Sequence, residues 1–249
     1  MIFKKIKILH LFGIIIRKVN KILLKDLGLC DYAVAWEAQT KVHQNLIHQK
    51  RYPEENSAAT PHQLIMCEHP HVYTLGKSGS KDNLLYPVQE LDRIGATFYE
   101  INRGGDITYH GPGQLVVYPI LDLEQIEADV HKYVRGLEEV IIKLCGTFQV
   151  QTERISGYTG VWVTQNDSKP RKICAIGVHL SRWVSLHGLA FNVYPDLNYF
   201  NHIVPCGISP EQMQVTSLEK EIGNKPNLEE VKKRFVQLFL EQFQLDLIP

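Results

Sequence analysis

The sequence predicts an α+β fold, a mixed or antiparallel sheet flanked by helices, on three observations. Six strand-like runs come largely in succession, and the helical segments do not alternate strictly with them, which argues against a doubly wound parallel sheet. Three segments carry apolar residues at helical spacing. No repeat or low-complexity linker divides the 249 residues, and 44% hydrophobic content over that length can bury a sizeable core. One domain, 25–249, is therefore expected behind an N-terminal extension, 1–24.

The extension opens MIFKKIKILHLFGIIIRKVN. Its apolar run, Ile8 to Ile16, is too short to span a bilayer and lacks a small-x-small cleavage site. A basic amphipathic helix or an irregular extension is expected, with no membrane contact. The first helix is DYAVAWEAQTKVHQNLIHQKR, with Tyr32, Trp36, Leu46 and Ile47 near one face and Asp31 as N-cap. The second, ADVHKYVRGLEEVIIKLCGTF, aligns Val130, Val134, Leu137, Ile141, Leu144 and Phe148 despite Gly136. The third, NLEEVKKRFVQLFLEQF, has Asn227 and Glu230 at capping-box spacing and turns Leu228, Val231, Phe235 and Leu238 inward. Between them lie the strand candidates QLIMCE, ATFYEIN, QLVVYPI, GVWVTQ, KICAIGVHL and VSLHGLAFNV. TQNDSKPRK, rich in turn formers, reads as an exposed hairpin connection.

Lys plus Arg and Asp plus Glu balance at 27 each, so no overall field favours nucleic acid. The five cysteines are odd in number, scattered and without C-x-x-C spacing, which suggests neither a disulfide framework nor a zinc site and points to a reducing cytoplasm. Cys67, Cys145 and Cys174 sit in apolar runs and read as small core residues. Cys206 differs, because Pro205 and Gly207 flank it. The proline fixes the chain before the thiol, and the glycine lets backbone approach a ligand closely.

RGGDITYHGPGQ, 103–114, carries four glycines between two strand-like runs, and on composition a pocket-lining loop and a plain hairpin stand level. It lacks G-x-G-x-x-G spacing, and the GKS at 76–78 has His71 where a phosphate loop needs glycine. His110 and His187 precede glycines and suit hydrogen bonds to loop carbonyls. No metal is expected at His69-Pro70-His71 or elsewhere.

EHPHVYTLGK, RGGDITYHGPGQLVVYPI, RKICAIGVHL, SLHGLAFNV and PCGI occur in that order. Together they resemble the lipoyl(octanoyl) transferases, over a span from about Lys25 to the last helix. The resemblance implies a fold related to the catalytic domains of biotin and lipoate protein ligases. It implies transfer of octanoyl from acyl carrier protein to a lysine of lipoyl-bearing domains, those of 2-oxoacid dehydrogenases and the glycine cleavage H protein, without a cofactor. It implies Cys206 as acyl-thioester nucleophile and Lys172 as its partner. It further implies a substrate site made by Arg103, Gly104, Gly105, Asp106, Ile107, Thr108, Tyr109 and His110, by Ala175, Ile176 and Gly177, and by Gly188, Leu189 and Ala190. The chain has EHPH where the family commonly has EHPP, a departure that concerns His71 and not the catalytic pair.

The chemistry suits these residue types. Acyl exchange between two thiols is nearly neutral in energy, and passing the acyl group on to an amine is downhill, so a cysteine divides the transfer into two accessible steps. A thiol of ordinary pKa near 8.5 is short of thiolate at pH 7 by roughly 2 kcal/mol, which an adjacent ammonium reduces. Freeing the acceptor amine costs roughly 4.6 kcal/mol at an ordinary pKa of about 10.4, so the second step asks more of the lysine acting as base. Period-two alternation sets Lys172 on the face of Cys174 and Ile176. Lys77, Lys81, Arg171 and Arg182 are candidates for a basic rim facing an acidic carrier protein. Two rivals stay open: an ATP-dependent lipoate- or biotin-type ligase, and a non-catalytic acyl binder.

Overall fold

In the computed structural model the described residues are 20–53, 60–164, 169–204 and 214–248. Residues 1–19 of the expected extension, the middle of the TQNDSKPRK connection and Cys206 lie outside them. The strands are β1 (Asn20–Leu29), β2 (His62–Glu68), β3 (Val72–Leu75), β4 (Thr97–Glu100), β5 (Ile107–His110), β6 (Gln114–Ile120), β7 (Glu153–Ile155), β8 (Tyr158–Val163), β9 (Arg171–Ser181), β10 (Val184–Asn192), β11 (Gln214–Val215) and β12 (Leu245–Leu247). The helices are α1 (Tyr32–Arg51), α2 (Val130–Gly146), α3 (Leu218–Ile222) and α4 (Leu228–Phe243).

The larger sheet runs β12-β1-β2-β6-β10-β9-β8-β7, with β11 paired to β9, and the smaller is β4-β3-β5. β1 pairs in parallel with β2 and β12, while β2, β6, β10, β9 and β8 are successively antiparallel. The sheet is mixed, as the pattern predicts. β1 takes Asn20 to Leu24 into the sheet, with Ile22 fully buried, so the folded unit begins earlier than the basic composition of this stretch suggests.

One face of the large sheet is closed by α2 and α4. Val231, Phe235, Phe239 and Phe243 form an i, i+4 stripe on α4 that packs with Leu137, Val140, Ile141 and Leu144 of α2. Leu238, expected on that stripe, is only half-buried, and Phe239 takes the inward place. Gly136 is where the helices touch, since a Cβ there would meet the Phe243 ring at 2.9 Å. Val130, expected on the inward stripe of α2, is exposed. Asn227 caps α4 through Glu229 N (2.9 Å) and Glu230 N (3.2 Å). Glu230 pairs instead with Arg234, which leaves the capping box half formed.

The other face is covered by α1 over part of its width. Ala35, Val42 and Leu46 meet Ile65, Val116, Tyr118 and Ala190 there. Trp36 and Ile47 are half-buried at the helix edges, and Asp31 precedes α1 without a side-chain cap. The small sheet abuts this face and leaves a hollow beside α1.

Candidate active site

The hollow is a cavity of about 920 Å³ between the 103–110 segment, β6, β8, β9 and β10. Arg103, Gly104, Gly105, Asp106, Ile107, Thr108, His110, Ala175, Ile176, Gly177, Gly188, Leu189 and Ala190 all line it, as does Lys172. Tyr109 does not. It turns to the other side of β5, where its ring stacks on Tyr199 and its hydroxyl meets His71 Nδ1 at 2.8 Å. Strand alternation separates it from Thr108 and His110, and the resemblance cannot tell these neighbours apart.

The sidedness of Lys172 rests on an irregularity. In the β8–β9 ladder Val161 pairs with Cys174 and Trp162 with Lys172, so Ile173 has no partner. That is a β-bulge, with two residues of one strand opposing one of the other. Val161, Ile173 and Cys174 all enter the core under α2 and α4. Trp162 faces the cavity, and Lys172 goes with it, its Nζ 4.5 Å from the indole centroid. Plain alternation would have set Lys172 beside Cys174, and the bulge reverses this. An ammonium over an indole face gains on the order of 1 kcal/mol.

The surroundings hold that strand end firmly. Thr216 N donates to Lys172 O (3.0 Å), and Val215 pairs with Lys172 in the β11–β9 ladder. Arg171 grips Glu221 through Nε and Nη2, both at 3.0 Å, so it belongs to this brace more than to a free basic rim. Fully buried Glu138 receives Arg135 (2.6 Å) and Arg154 (3.1 Å) and accepts from Gly160 N (3.1 Å), fixing β8 beside the lysine. Of the other rim candidates, Lys77 and Arg182 are exposed, and Lys81 pairs with Glu100 at 2.7 Å.

The glycine-rich segment is a built wall. Arg103 Nη2 donates to Thr74 O (2.6 Å) and Oγ1 (3.1 Å), and Nη1 to Gly104 O (3.1 Å). Gly104 N donates to Val178 O (3.0 Å). Gly177 allows this close approach, because a Cβ there would stand 2.9 Å from Gly104 O. The sequence left open a pocket wall or a plain hairpin. The segment is a wall whose second half, β5, is itself a strand.

His110 Nδ1 donates to Gln114 Oε1 (2.7 Å), Gln114 Nε2 donates to Asn192 Oδ1 (2.9 Å), and Asn192 Nδ2 to Thr216 O (2.9 Å). This relay runs from the wall to the residue that holds Lys172 O, and nothing in the sequence marks it. Burial holds His110 down to about 3, so it is a neutral donor at physiological pH. His187 is likewise pushed down to about 3 by burial, with Arg103 adding to the effect. Its φ of 62° has a local cause. The β6–β10 ladder stops at Val117 opposite Leu189, and two residues on Pro119 has no N–H to offer His187. His187 N turns to Gln39 Oε1 (3.0 Å), Nε2 donates to Asn102 Oδ1 (2.7 Å), and Nδ1 has no hydrogen-bond partner among the described residues. Both histidines bond side chains, where loop carbonyls were expected.

The chain bearing Cys206 leaves and rejoins the described structure at the cavity, since Ile203 on one side and Gln214 and Val215 on the other line it. Among the lining residues, sequence reasoning missed Trp162, Tyr118, Gln114 and Asn192 as wall residues. Trp162 opposite Lys172 was detectable only with the bulge known.

Residues 31–240 match the family model described as lipoyl protein ligase A/B catalytic domain. An octanoyltransferase of Cytophaga hutchinsonii is 48% identical over 237 residues, 93% of this chain and 96% of that protein. One from Flavobacterium psychrophilum is 50% identical over 234 residues, 92% of this chain and all of that protein. Among solved structures, a lipoate-protein ligase A bound with ATP superposes with a TM-score of 0.60 at 15% identity, covering 93% of this chain and 90% of that one. A bipartite lipoate protein ligase of Thermoplasma acidophilum, solved with its E2 lipoyl domain, gives 0.57 at 14% identity, covering 93% and 88%. These two establish a shared fold. The chain belongs to the lipoyl protein ligase A/B catalytic-domain family and, within it, to the octanoyltransferases.

Proposed function

We propose that this protein moves an octanoyl group from octanoyl-acyl carrier protein to a lysine of lipoyl-bearing domains, the first step of endogenous protein lipoylation. The acceptors are the lipoyl domains of 2-oxoacid dehydrogenases and the glycine cleavage H protein. Cys206 is the nucleophile. Its thiolate attacks the donor thioester, the Lys172 ammonium gives its proton to the departing carrier thiolate, and a thioester forms on Cys206 beside a lysine now neutral. The acceptor amine then attacks that thioester, its proton passes to the neutral Lys172, and the Cys206 thiolate is regenerated. The observation that carries this reading is the bulge at Ile173, which brings Lys172 out of the core to the cavity beside Trp162. The cavity's size is ample for an eight-carbon chain.

No cofactor or metal enters this reaction. A cytoplasmic enzyme fits the cysteine usage, and no helix among the described residues is long and apolar enough to cross a membrane. Incubation with octanoyl-acyl carrier protein should add one octanoyl mass to the peptide containing Cys206, without ATP. Full transfer to a lipoyl domain with no such adduct in rapid-quench samples would sink the covalent route. ATP-dependent turnover of free octanoate would favour the ligase reading.

A further inference from the structure

Three groups that the acyl chemistry does not use meet where β1 and β2 end. Leu29 pairs with Glu68 in the parallel ladder, and Cys30 N donates to Glu68 O at 3.0 Å. The strand ends thus gather Cys30, Cys67 and His69, whose Sγ and ring nitrogen atoms all lie within 4.8 Å of one another. The sequence shows no metal-binding spacing because the first ligand stands on a different strand from the other two.

The imidazole is already set for coordination. His69 Nδ1 donates to Cys30 O (2.8 Å), which fixes the tautomer and leaves the Nε2 lone pair pointing into the cluster. That lone pair now accepts from the Tyr118 hydroxyl (2.8 Å), with Cys67 Sγ at 3.4 Å. A carbonyl behind a ligating histidine is the usual outer partner in metal sites. Cys30 is half-buried, which gives an ion a route in, while Cys67 and His69 are buried.

We infer that Cys30, Cys67 and His69 form a zinc site distinct from the acyl-transfer centre. Two thiolates and a neutral imidazole match the softness of this ion, and their two negative charges cancel its two positive ones. A neutral complex is what an apolar setting tolerates, and the thiol protons leave to solvent on binding. Zn–S bonds of about 2.3 Å at tetrahedral angles put the two sulfurs roughly 3.8 Å apart, so the present spacing needs a contraction of about an ångström at most. The fourth position falls to water or the Tyr118 oxygen. Tyr118 also lines the acyl cavity, and a metal on Nε2 takes away the acceptor of its hydroxyl. The site thereby touches a wall of the catalytic chamber.

The test uses untagged full-length protein, reduced and kept free of oxygen. Titration with Co²⁺ should develop a thiolate-to-cobalt charge-transfer band that saturates at one ion per chain and is bleached by Zn²⁺. Cys30→Ser and Cys67→Ser should remove most of the band and weaken zinc binding at least about ten-fold. Cys145→Ser and Cys206→Ser should leave both unchanged, and Cys30→His should restore zinc binding. Should Cys67→Ser or His69→Asn fail to fold, the half-exposed Cys30 pair of variants decides alone. A missing band, one that survives Cys30→Ser, or one lost only with Cys206→Ser overturns the site.

Discussion

The two faces of the large sheet are built on opposite terms. Under α2 and α4 the contacts are aliphatic and aromatic, with Phe235, Phe239 and Leu137 fully buried. On the other face Gln114, His187 and Asn192 of the same sheet meet Arg103 and His110 of the small-sheet segment, all buried and hydrogen-bonded, around an open chamber. The first face is a continuous apolar core and so supplies stability. The second ties most of its polar groups to one another, leaves His187 Nδ1 without a hydrogen-bond partner among the described residues, and keeps space for a ligand. Substitutions should separate accordingly, with stability lost on one face and turnover on the other.

The sharpest break is expected at Lys172. Lys172→Ala should lower kcat/KM on the order of 10³-fold, about 4 kcal/mol, while the melting temperature stays within a degree or two. The loss should be deeper at neutral than at alkaline pH if the lysine manages protons. Steady-state assays with an acceptor domain, alongside calorimetry, check both. Phe239→Ala is the mirror experiment. It should cost about 3–5 kcal/mol in denaturant unfolding and leave the activity of the folded fraction nearly intact.

Acid should strike the second face next. His110 and His187 are held near 3 in the folded state, below their ordinary range, so the unfolded chain binds more protons between the two values. Their stabilising contribution is complete above about pH 6.5 and fades as pH falls toward 3, by up to about 1.4 kcal/mol per pH unit for each. His110→Gln and His187→Gln should each flatten the acid limb of stability measured against pH. The smallest effect is expected at a helix end remote from the chamber, where Asn227→Ala should cost about 1 kcal/mol with turnover unchanged.

The two faces also differ in how far the sequence discloses them. The packed face is written in short-range periodicity, so α2, α4 and the central strands are legible from spacing, apart from details such as Phe239 in place of Leu238. The chamber depends on long-range events. Pro119 acts on His187 across a strand pair, Thr216 reaches Lys172 from a later segment, and the relay through Gln114 and Asn192 joins three elements. Its residues were reachable through ordered motifs resembling a known family, which list neighbours together and so swept in Tyr109. β1 escaped because its three charged residues mask a strand that is buried only at Ile22. Its pairing partners, β2 and β12, lie far off in the chain.

The unpartnered Ile173 makes the side on which Lys172 emerges a matter of parity. Removing that single residue would place Lys172 next to Cys174 in the chain, where plain alternation already sets the two on opposite faces, so the lysine would keep the chamber side without a bulge. Regularising the ladder with Ile173 retained would instead turn Lys172 to the core side beside Cys174, while Arg171 rotated toward the chamber and its brace with Glu221 parted. Loss of the one bulged residue is therefore tolerable in this strand, whereas a one-residue slip that flattens the bulge is not.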